Sequence, residues 1–213
     1  MAGWEGLREE LRRLLVEAPE ALRALPDPDS VPARTPVRIM LAAWATEIAA
    51  GLQATYPELV ELEVGAMRYP AGELIRYVRV PELRGRPAAD IGIDVEALAP
   101  LTVRSGWDLW QDVLVRNRGD REQVLITMGE LSSVVADGSG RVVGRFAGPH
   151  ALPRVGFAVG AGEERPVPVL IGTASLVPEL GYAVPPGQWR LVIGVRTETG
   201  AEGEASLELT VTA

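Results

Sequence analysis

Apolar residues recur every three or four positions between residues 4 and 25, with Glu and Arg between them. This spacing predicts an amphipathic helical segment, because it lines one side of a helix. Its apolar stripe consists of Leu7, Leu11, Leu14, Ala18, Leu22 and Leu25. Pro19 is expected to begin a second short helix, since proline is tolerated at a first helical position but not in a helix interior. The four prolines of "PDPDSVPARTP" then predict a linker.

A second helix is predicted from Val37 to Thr55. Thr35 offers a capping hydroxyl, Pro36 suits the first helical position, and Pro57 marks the end. The stripe of this helix consists of Val37, Met40, Leu41, Trp44, Ile48 and Leu52. Its other side is mostly alanine, which predicts burial on most sides.

The period of the pattern changes to two after Pro57, and this alternation is typical of strands. Three segments show it: "LVELEVGAMRY", "ELIRYVRV" and "ADIGIDVEAL". In the third segment, Ile91, Ile93 and Val95 are expected to point inward. Residues 58–100 could form their own small sheet under the second helix or add strands to a following domain, and the pattern leaves both possibilities open.

From Gly106 onward the pattern is almost entirely that of strands separated by short turns. Strands are predicted at 112–116, 123–128, 133–136, 142–146, 155–159, 166–171, 188–196 and 205–212. "VVADGSGRVV" has the Asp and Gly residues of a tight hairpin. In "YAVPPGQWRLVIGV" two prolines and a glycine lead into a strand that is expected to aim Trp189 into the core. Many short strands at this spacing indicate a two-sheet sandwich.

Together these patterns predict an α+β protein in three parts. Residues 1–30 form an amphipathic helical arm and linker, and residues 31–105 form an α/β N-terminal domain with one helix and about three strands in a small antiparallel sheet. Residues 106–213 form an all-β, immunoglobulin-like sandwich.

Composition excludes several classes of function. The net charge of −8 leaves no basic face, so neither nucleic acid nor anionic lipid is an expected partner. The chain has no cysteine, which excludes disulfides, thiolate zinc sites and cysteine nucleophiles. All 21 basic residues are Arg, so a Schiff-base or P-loop lysine is also excluded. The charged beginning "AGWEGLREELRR" does not resemble a signal peptide and no apolar run approaches about 20 residues, which predicts a cytoplasmic protein.

Four segments carry a resemblance to a known family: "LVRNRGDREQVLI", "SSVVADGSGRVVGRF", "FAVGAGEERPVPV" and "VPPGQWRLVIGV". Across residues 112–196 they resemble the immunoglobulin-like sandwich of the bacterial intracellular proteinase inhibitor (BsuPI) type. The shared motifs are turns: Asn-x-Gly after a strand, a V-x-D-x-x-G-x-V-V hairpin, a Gly-Glu turn and Pro-Gly-x-aromatic. The resemblance implies the fold and, as one possible activity, inhibition of an intracellular peptidase, although no inhibitory loop can be recognised.

Candidate catalytic residues are few. His150 is the only histidine, and no G-x-S-x-G motif accompanies it, so a loop histidine is preferred over a catalytic base. Asp90, Asp94 and Glu96 are predicted to share one face of a strand, where paired carboxylates could serve a hydrolase or bind calcium. The wet side of a half-buried strand explains the same pattern, and it is preferred. No cofactor or metal site is predicted.

The remaining candidates are apolar. The stripe of the N-terminal segment must pack on its own domain, on a second copy or on another partner. Trp107 and Trp110 are three apart, so a strand would point them to opposite faces, one into the core and one toward a protein contact. The predicted contact residues are therefore Leu7, Leu11, Leu14, Leu22, Trp107 and Trp110. The expected function is a non-enzymatic protein-interaction or assembly module, acting through self-association or a protein partner; a peptidase inhibitor and a carboxylate-dependent hydrolase are the alternatives.

Overall fold

The computed structural model describes residues 3–30, 36–69, 80–83, 85–150 and 153–213. It contains two α-helices, α1 (Trp4–Glu17) and α2 (Thr46–Thr55). The first strands are β1 (Leu22–Ala24), β2 (Val37–Leu41), β3 (Val60–Val64), β4 (Met67–Arg68), β5 (Ile93–Ala97), β6 (Thr102–Arg104) and β7 (Asp108–Asn117). The others are β8 (Gln123–Thr127), β9 (Leu131–Ala136), β10 (Val142–Arg145), β11 (Val155–Val159), β12 (Glu164–Gly172), β13 (Ala174–Ser175), β14 (Gly187–Arg196) and β15 (Glu202–Thr212). Short 3-10 turns lie at Pro19–Ala21, Ala88–Ile91 and Pro178–Leu180.

The N-terminal part is a four-stranded sheet, in the order β1-β2-β3-β4, whose apolar residues pack with those of both helices. Strands β2 and β3 are parallel, and α2 connects them, so the three elements form a βαβ unit. The outer strands β1 and β4 run antiparallel to their neighbours. This sheet is therefore mixed, which corrects the prediction of a small antiparallel sheet.

The helix predicted at Val37–Thr55 is wrong in its first half, because Val37–Leu41 forms strand β2 and only Thr46–Thr55 is helical. Val37, Ile39 and Leu41 are buried in alternation with exposed Arg38. Positions 37 and 41 are four apart, and a spacing of four fits a helical stripe as well as every second residue of a strand. The strand predicted within 73–80 lies outside the described residues except for its last position.

The second part of the chain is a β-sandwich of two layers. We call β5, β7 and β12 the front layer and β6, β15, β14, β9 and β10 the back layer. Strand β9 links them, since Leu131 and Ser132 pair with β12 while the following residues pair with β14. The residues buried between the layers include Ile93, Val113, Val115, Val167, Val169, Leu191, Ile193 and Leu209. The predicted α+β fold class with an immunoglobulin-like sandwich is confirmed.

Strands β5 and β6 pair with sandwich strands, β5 with β7 and β6 with β15. The residues between 58 and 100 are therefore divided: β3 and β4 extend the N-terminal sheet, and β5 belongs to the sandwich. Strands β5 and β6 thus belong to the sandwich although they precede residue 106, where the sequence placed the beginning of that domain.

The turn motifs take the structures that their residues favour. Asn117, fully buried, donates from Nδ2 to the carbonyls of Arg121 and Val159 at 2.7 and 3.0 Å, while its Oδ1 accepts the Gly119 N–H at 2.9 Å. At the predicted hairpin, Asp137 Oδ1 accepts the N–H groups of Ser139 and Arg141 at 2.9 and 3.0 Å. These side-chain bonds replace backbone partners in the turns and so stabilise them.

The double proline before β14 positions Trp189 in the expected way. The indole N–H of Trp189 donates to the carbonyl of Pro185 at 3.0 Å, and its ring packs against the sandwich core. The next inward residues, Leu191, Ile193 and Val195, are buried.

The N-terminal part contacts the sandwich at the beginning of β7. Trp44 stacks on Trp107 with ring centroids 5.2 Å apart and planes at 11°. Beside this pair, the guanidinium of Arg23 lies 2.9 Å from the carboxylate of Asp108. We call these four residues the junction. Gly106 makes the close approach possible: its φ is +80°, and a Cβ there would lie 2.8 Å from the backbone nitrogen of Trp44. Within the described ranges, no helix has the length and apolarity needed to cross a membrane.

Candidate interaction surface

The apolar stripe of α1 is covered by its own chain. Leu7, Leu11 and Leu14 are buried against the N-terminal sheet and α2, and Leu22 in β1 packs at the edge of the same cluster. This corrects the prediction that the stripe is a partner contact: the leucines pack in cis, which is the first of the three alternatives that the sequence left open. On the outer side of α1, Leu15 and Val16 are exposed.

The two neighbouring tryptophans lie in opposite environments, as the strand period predicts. Trp107 precedes β7 and is covered by Trp44, with the guanidinium of Arg104 5.6 Å from its ring centroid. Trp110 points outward from β7 and is 58% exposed. The difference arises because the odd residues of β7, Val113 and Val115, point into the core.

The outward side of the front layer is a surface that we call the open face. Its residues are Asp94 and Glu96 of β5, Trp110, Asp112, Leu114 and Arg116 of β7, and Glu164, Pro166 and Pro168 of β12. Directly after β5, Leu98 is 51% exposed. This surface combines a large exposed aromatic ring with aliphatic residues and prolines, a composition found at protein contacts.

Strand pairing arranges these residues in rows across the sheet. Asp94, Arg116 and Glu164 form one row, and Glu96, Leu114 and Pro166 form the next. Asp112 pairs with Pro168 in the third row, and Trp110 pairs with Leu170, which is buried, in the fourth. The face therefore has a charged end and an aromatic end, because residues paired across strands share one side of a sheet.

The open face as a whole has more carboxylates than guanidinium groups. Arg116 donates to Glu164 at 2.6 Å from Nη2 and at 3.1 Å from Nε, while Arg118 pairs with Asp94. The hydrogen bonds that Arg116 donates to Glu164 raise the pKa of Arg116, with smaller contributions from the charges of Glu96 and Asp94. Among the described residues, none forms an ion pair with Glu96 or Asp112. Both are exposed, so the open face carries excess negative charge.

Two prolines restrict how another chain can meet this sheet. The Asn117 N–H donates to the Glu163 carbonyl at 3.0 Å, which places the bonded pairs of β7 and β12 at odd residues of both strands. The nitrogens of Pro166 and Pro168 therefore face away from β7, where they have no hydrogen to offer an added strand. Before its short pairing with β9, β12 therefore offers no backbone donor at these two positions, which disfavours strand addition there and favours binding through side chains.

The acidic trio that the sequence singled out does not assemble as one group. Asp94 and Glu96 share the outward side of β5, but Asp90 lies in the 3-10 turn before it. Gly92, with φ of +76°, ends that turn, and the alternation begins only at Ile93. The prediction that all three lie on one strand face is therefore wrong for Asp90.

His150 meets a carboxylate but forms no hydrogen bond with Ser139 of the Asp137 hairpin or with Ser175 of β13. Its Nε2 lies 2.5 Å from Oε1 of Glu130, whose side chain is buried, and its ring meets the edge of Phe146 at a centroid distance of 5.7 Å. Ser139 donates its hydroxyl to Asp137, and Ser175 donates to the carbonyl of Val177. Neither hydroxyl is therefore bonded to the imidazole.

A shallow pocket of about 460 Å³ lies elsewhere, lined by Pro81, Glu82, Leu83, Arg141, Val142 and Leu176, among others. Its ionisable lining residues are Glu82 and Arg141, and the Arg141 guanidinium lies 3.6 Å from Glu179. The described part of the chain has no group of three or more His, Asp or Glu residues that could hold a metal ion. These features leave the open face as the candidate site.

Of the open face, the sequence identified Trp110, Asp94 and Glu96 as separate candidates and missed Asp112, Leu114 and the two prolines. One signal was present: Pro166 and Pro168 are two apart in a predicted strand, which places both nitrogens on one unpaired edge. The rows themselves depend on which distant strands pair.

Comparison with known proteins assigns this chain to no family. No family model matches the chain, and no curated protein matches its sequence. One similar structure is the CARDB domain of the PF1109 protein from Pyrococcus furiosus in complex with di-metal ions, with 16% identity over 56% of this chain and 91% of that chain and a TM-score of 0.31. Another is the ASH/PapD-like domain 7 of human CEP192, with 11% identity over 68% of this chain and 97% of that chain and a TM-score of 0.30. A beta-glucosidase from Listeria innocua is also similar, with 16% identity and a TM-score of 0.36, covering 79% of this chain and 26% of that chain.

Proposed function

We propose that this protein is a non-enzymatic interaction module that holds a protein partner on the open face. Trp110 carries the proposal. The side chain is 58% exposed on a regular strand, so its apolar surface stays in contact with water unless another molecule covers it. Exposed tryptophans beside aliphatic residues are typical anchors of protein interfaces. Leu114, Pro166 and Pro168 supply such neighbours in adjacent rows.

The test is affinity capture from the native cell with the full chain, followed by reconstitution with the purified partner. Trp110→Ala is expected to weaken the reconstituted complex by about 30-fold or more, which is the usual loss at an aromatic anchor. Met128→Ala is the matched control, because Met128 is 48% exposed but lies outside the open face. A partner that binds Trp110→Ala as tightly as the unmodified chain contradicts the proposal. Cell fractionation in the same experiment tests the expected cytoplasmic location.

Inhibition of an intracellular peptidase is the second candidate. The resemblance to the BsuPI type supports it through the Asn117 turn and the Asp137 hairpin, both of which have the hydrogen bonds that the motifs require. Titration against the cytoplasmic serine peptidases of the host decides the question. If micromolar excess slows none of them, this candidate is rejected.

A further inference from the structure

We propose that the segment bound by the open face is positively charged as well as apolar, an inference that rests on the proposed function. Within its three strands the face carries four carboxylates, Asp94, Glu96, Asp112 and Glu164, beside the single guanidinium of Arg116. Arg118 compensates one carboxylate from outside the face. The excess negative charge attracts a cationic partner and repels an anionic one.

The position of the unpaired carboxylates gives this charge a geometry. Asp112 follows Trp110 at the next outward position of β7, and Glu96 lies one row further, opposite Leu114. A partner side chain that covers the indole therefore has neighbours within reach of both carboxylates. Arg is the residue best suited to them, because its guanidinium can bind a carboxylate through two donors.

The dimensions of the face limit the length of the bound segment. From Trp110 to Arg116 it extends for about 20 Å, because a strand rises about 3.3 Å per residue. An extended segment of about six residues or a helix of about 13 residues covers this distance. At β12 the two prolines favour binding through side chains over the addition of a strand.

A second copy of this chain is a poor occupant. A symmetric dimer through this face would bring the carboxylates of both copies into one interface without adding a positively charged surface. The chain as a whole also carries a net charge of −8, so approach of another copy is opposed at low ionic strength. The charge balance thus favours a different, basic partner.

The experiment uses the full chain and three labelled synthetic peptides of 12 residues, measured by fluorescence anisotropy. One alternates Arg with Leu and Tyr, the second replaces Arg with Glu, and the third replaces Leu and Tyr with Ser. We expect the first to bind at least about tenfold more tightly than either of the others, and to weaken as salt is raised.

Two variants then separate this inference from the proposed function. Glu96→Gln with Asp112→Asn should weaken the Arg-containing peptide by about 3- to 30-fold and reduce its salt dependence. Glu58→Gln with Glu208→Gln is the control, since it removes two exposed carboxylates outside the face and should leave affinity unchanged.

If Trp110→Ala binds the Arg-containing peptide as well as the unmodified chain does, the open face is not the binding site and both proposals fail. If Trp110→Ala abolishes binding but the Arg and Glu peptides bind equally, the proposed function stands and only the inferred positive charge is overturned. The control pair weakening binding as much as the open-face pair would also overturn it, because the effect would then come from net charge alone.

Discussion

Two apolar surfaces of the protein differ in whether the chain itself covers them. The stripe of α1 and the ring of Trp107 are covered by residues of the same chain, whereas Trp110 faces solvent only three positions further on. The carboxylates differ in the same way: Asp108 at the junction is paired with Arg23, and Asp112 on the open face has no ion pair among the described residues. Residues of the same chain cover the first region, and the second is the surface that we propose binds a partner.

Burial has an electrostatic consequence at the junction. It raises the pKa of Asp108, and the nearby positive charge of Arg23 only partly opposes this shift. The ion pair therefore reduces the free-energy cost of placing a carboxylate under the N-terminal part rather than adding a large stabilisation of its own. Exposed carboxylates such as Asp112 do not carry this cost, so they are free to act in recognition.

The largest expected effect tests whether the α1 stripe belongs to the fold. Leu11→Ala should lower the free energy of unfolding by about 2–5 kcal/mol, because Leu11 is fully buried and the change leaves a cavity. Val16→Ala on the same helix is the control; Val16 is 81% exposed and should change stability by less than about 0.5 kcal/mol. Urea denaturation measures both. Equal effects of the two substitutions would mean that α1 is not packed on the sheet.

The second prediction concerns the close approach at the junction. Gly106→Ala should cost about 2–4 kcal/mol, the sum of a strained positive φ and a clash with the backbone of Trp44. Gly200→Ala isolates the first contribution, since Gly200 has φ of +85° and no atom within 4 Å of its added Cβ. We expect that control to cost about 1 kcal/mol. If both variants unfold at the same urea concentration, the tight contact between the N-terminal part and the sandwich is absent.

These two glycines also show where sequence reasoning succeeds. Within the hairpins, pattern and turn residues predicted nearly every strand of the sandwich, because alternation and turn chemistry are local properties. Gly200 belongs to such a turn and needed no knowledge of the rest of the molecule. The role of Gly106 could not be predicted in this way, since it depends on a close approach to Trp44, which is distant in sequence.

The open face shows the corresponding limit. The spacing of Trp107 and Trp110 predicted that they point to opposite faces, but it did not predict which of the two is exposed. The side chains around Trp110 could not be predicted from spacing, because β5, β7 and β12 are far apart in the chain and their pairing sets which side chains share a row. The error in the second helix had a different origin: a spacing of four residues fits both periods, and the sheet that resolved the ambiguity includes β3 from beyond α2.

The third prediction uses pH to examine the ion pair of the junction. Arg23→Met removes the charge that lowers the pKa of Asp108, so the folded-state pKa should rise further above its unfolded value. Stability from a raised pKa is present below the unfolded pKa and is lost as pH rises through the folded pKa. The loss relative to the unmodified chain should therefore be small near pH 4 and reach about 2–3 kcal/mol near pH 7.5.

Urea denaturation at a series of pH values measures this loss, and Asp108→Asn provides the background for the control. In that background Arg23→Met should have an effect that does not vary with pH, because no carboxylate remains to be titrated. A loss with the same value at pH 4 and pH 7.5 in the natural background would exclude the coupling between the two side chains.

The smallest expected effect on stability belongs to Trp110, and it separates the two surfaces most directly. Trp110→Ala should lower the free energy of unfolding by less than about 1 kcal/mol, since the side chain is 58% exposed and buries little apolar surface within the chain. Trp107→Ala removes a ring stacked at the junction and should cost about 3 kcal/mol. If Trp110→Ala destabilises the chain as much as Trp107→Ala does, the ring is part of the packed structure, and packing rather than partner binding would explain its place on β7. A small loss of stability combined with a large loss of partner affinity is the result that an open binding face requires, because the energy of covering the ring then comes from the partner.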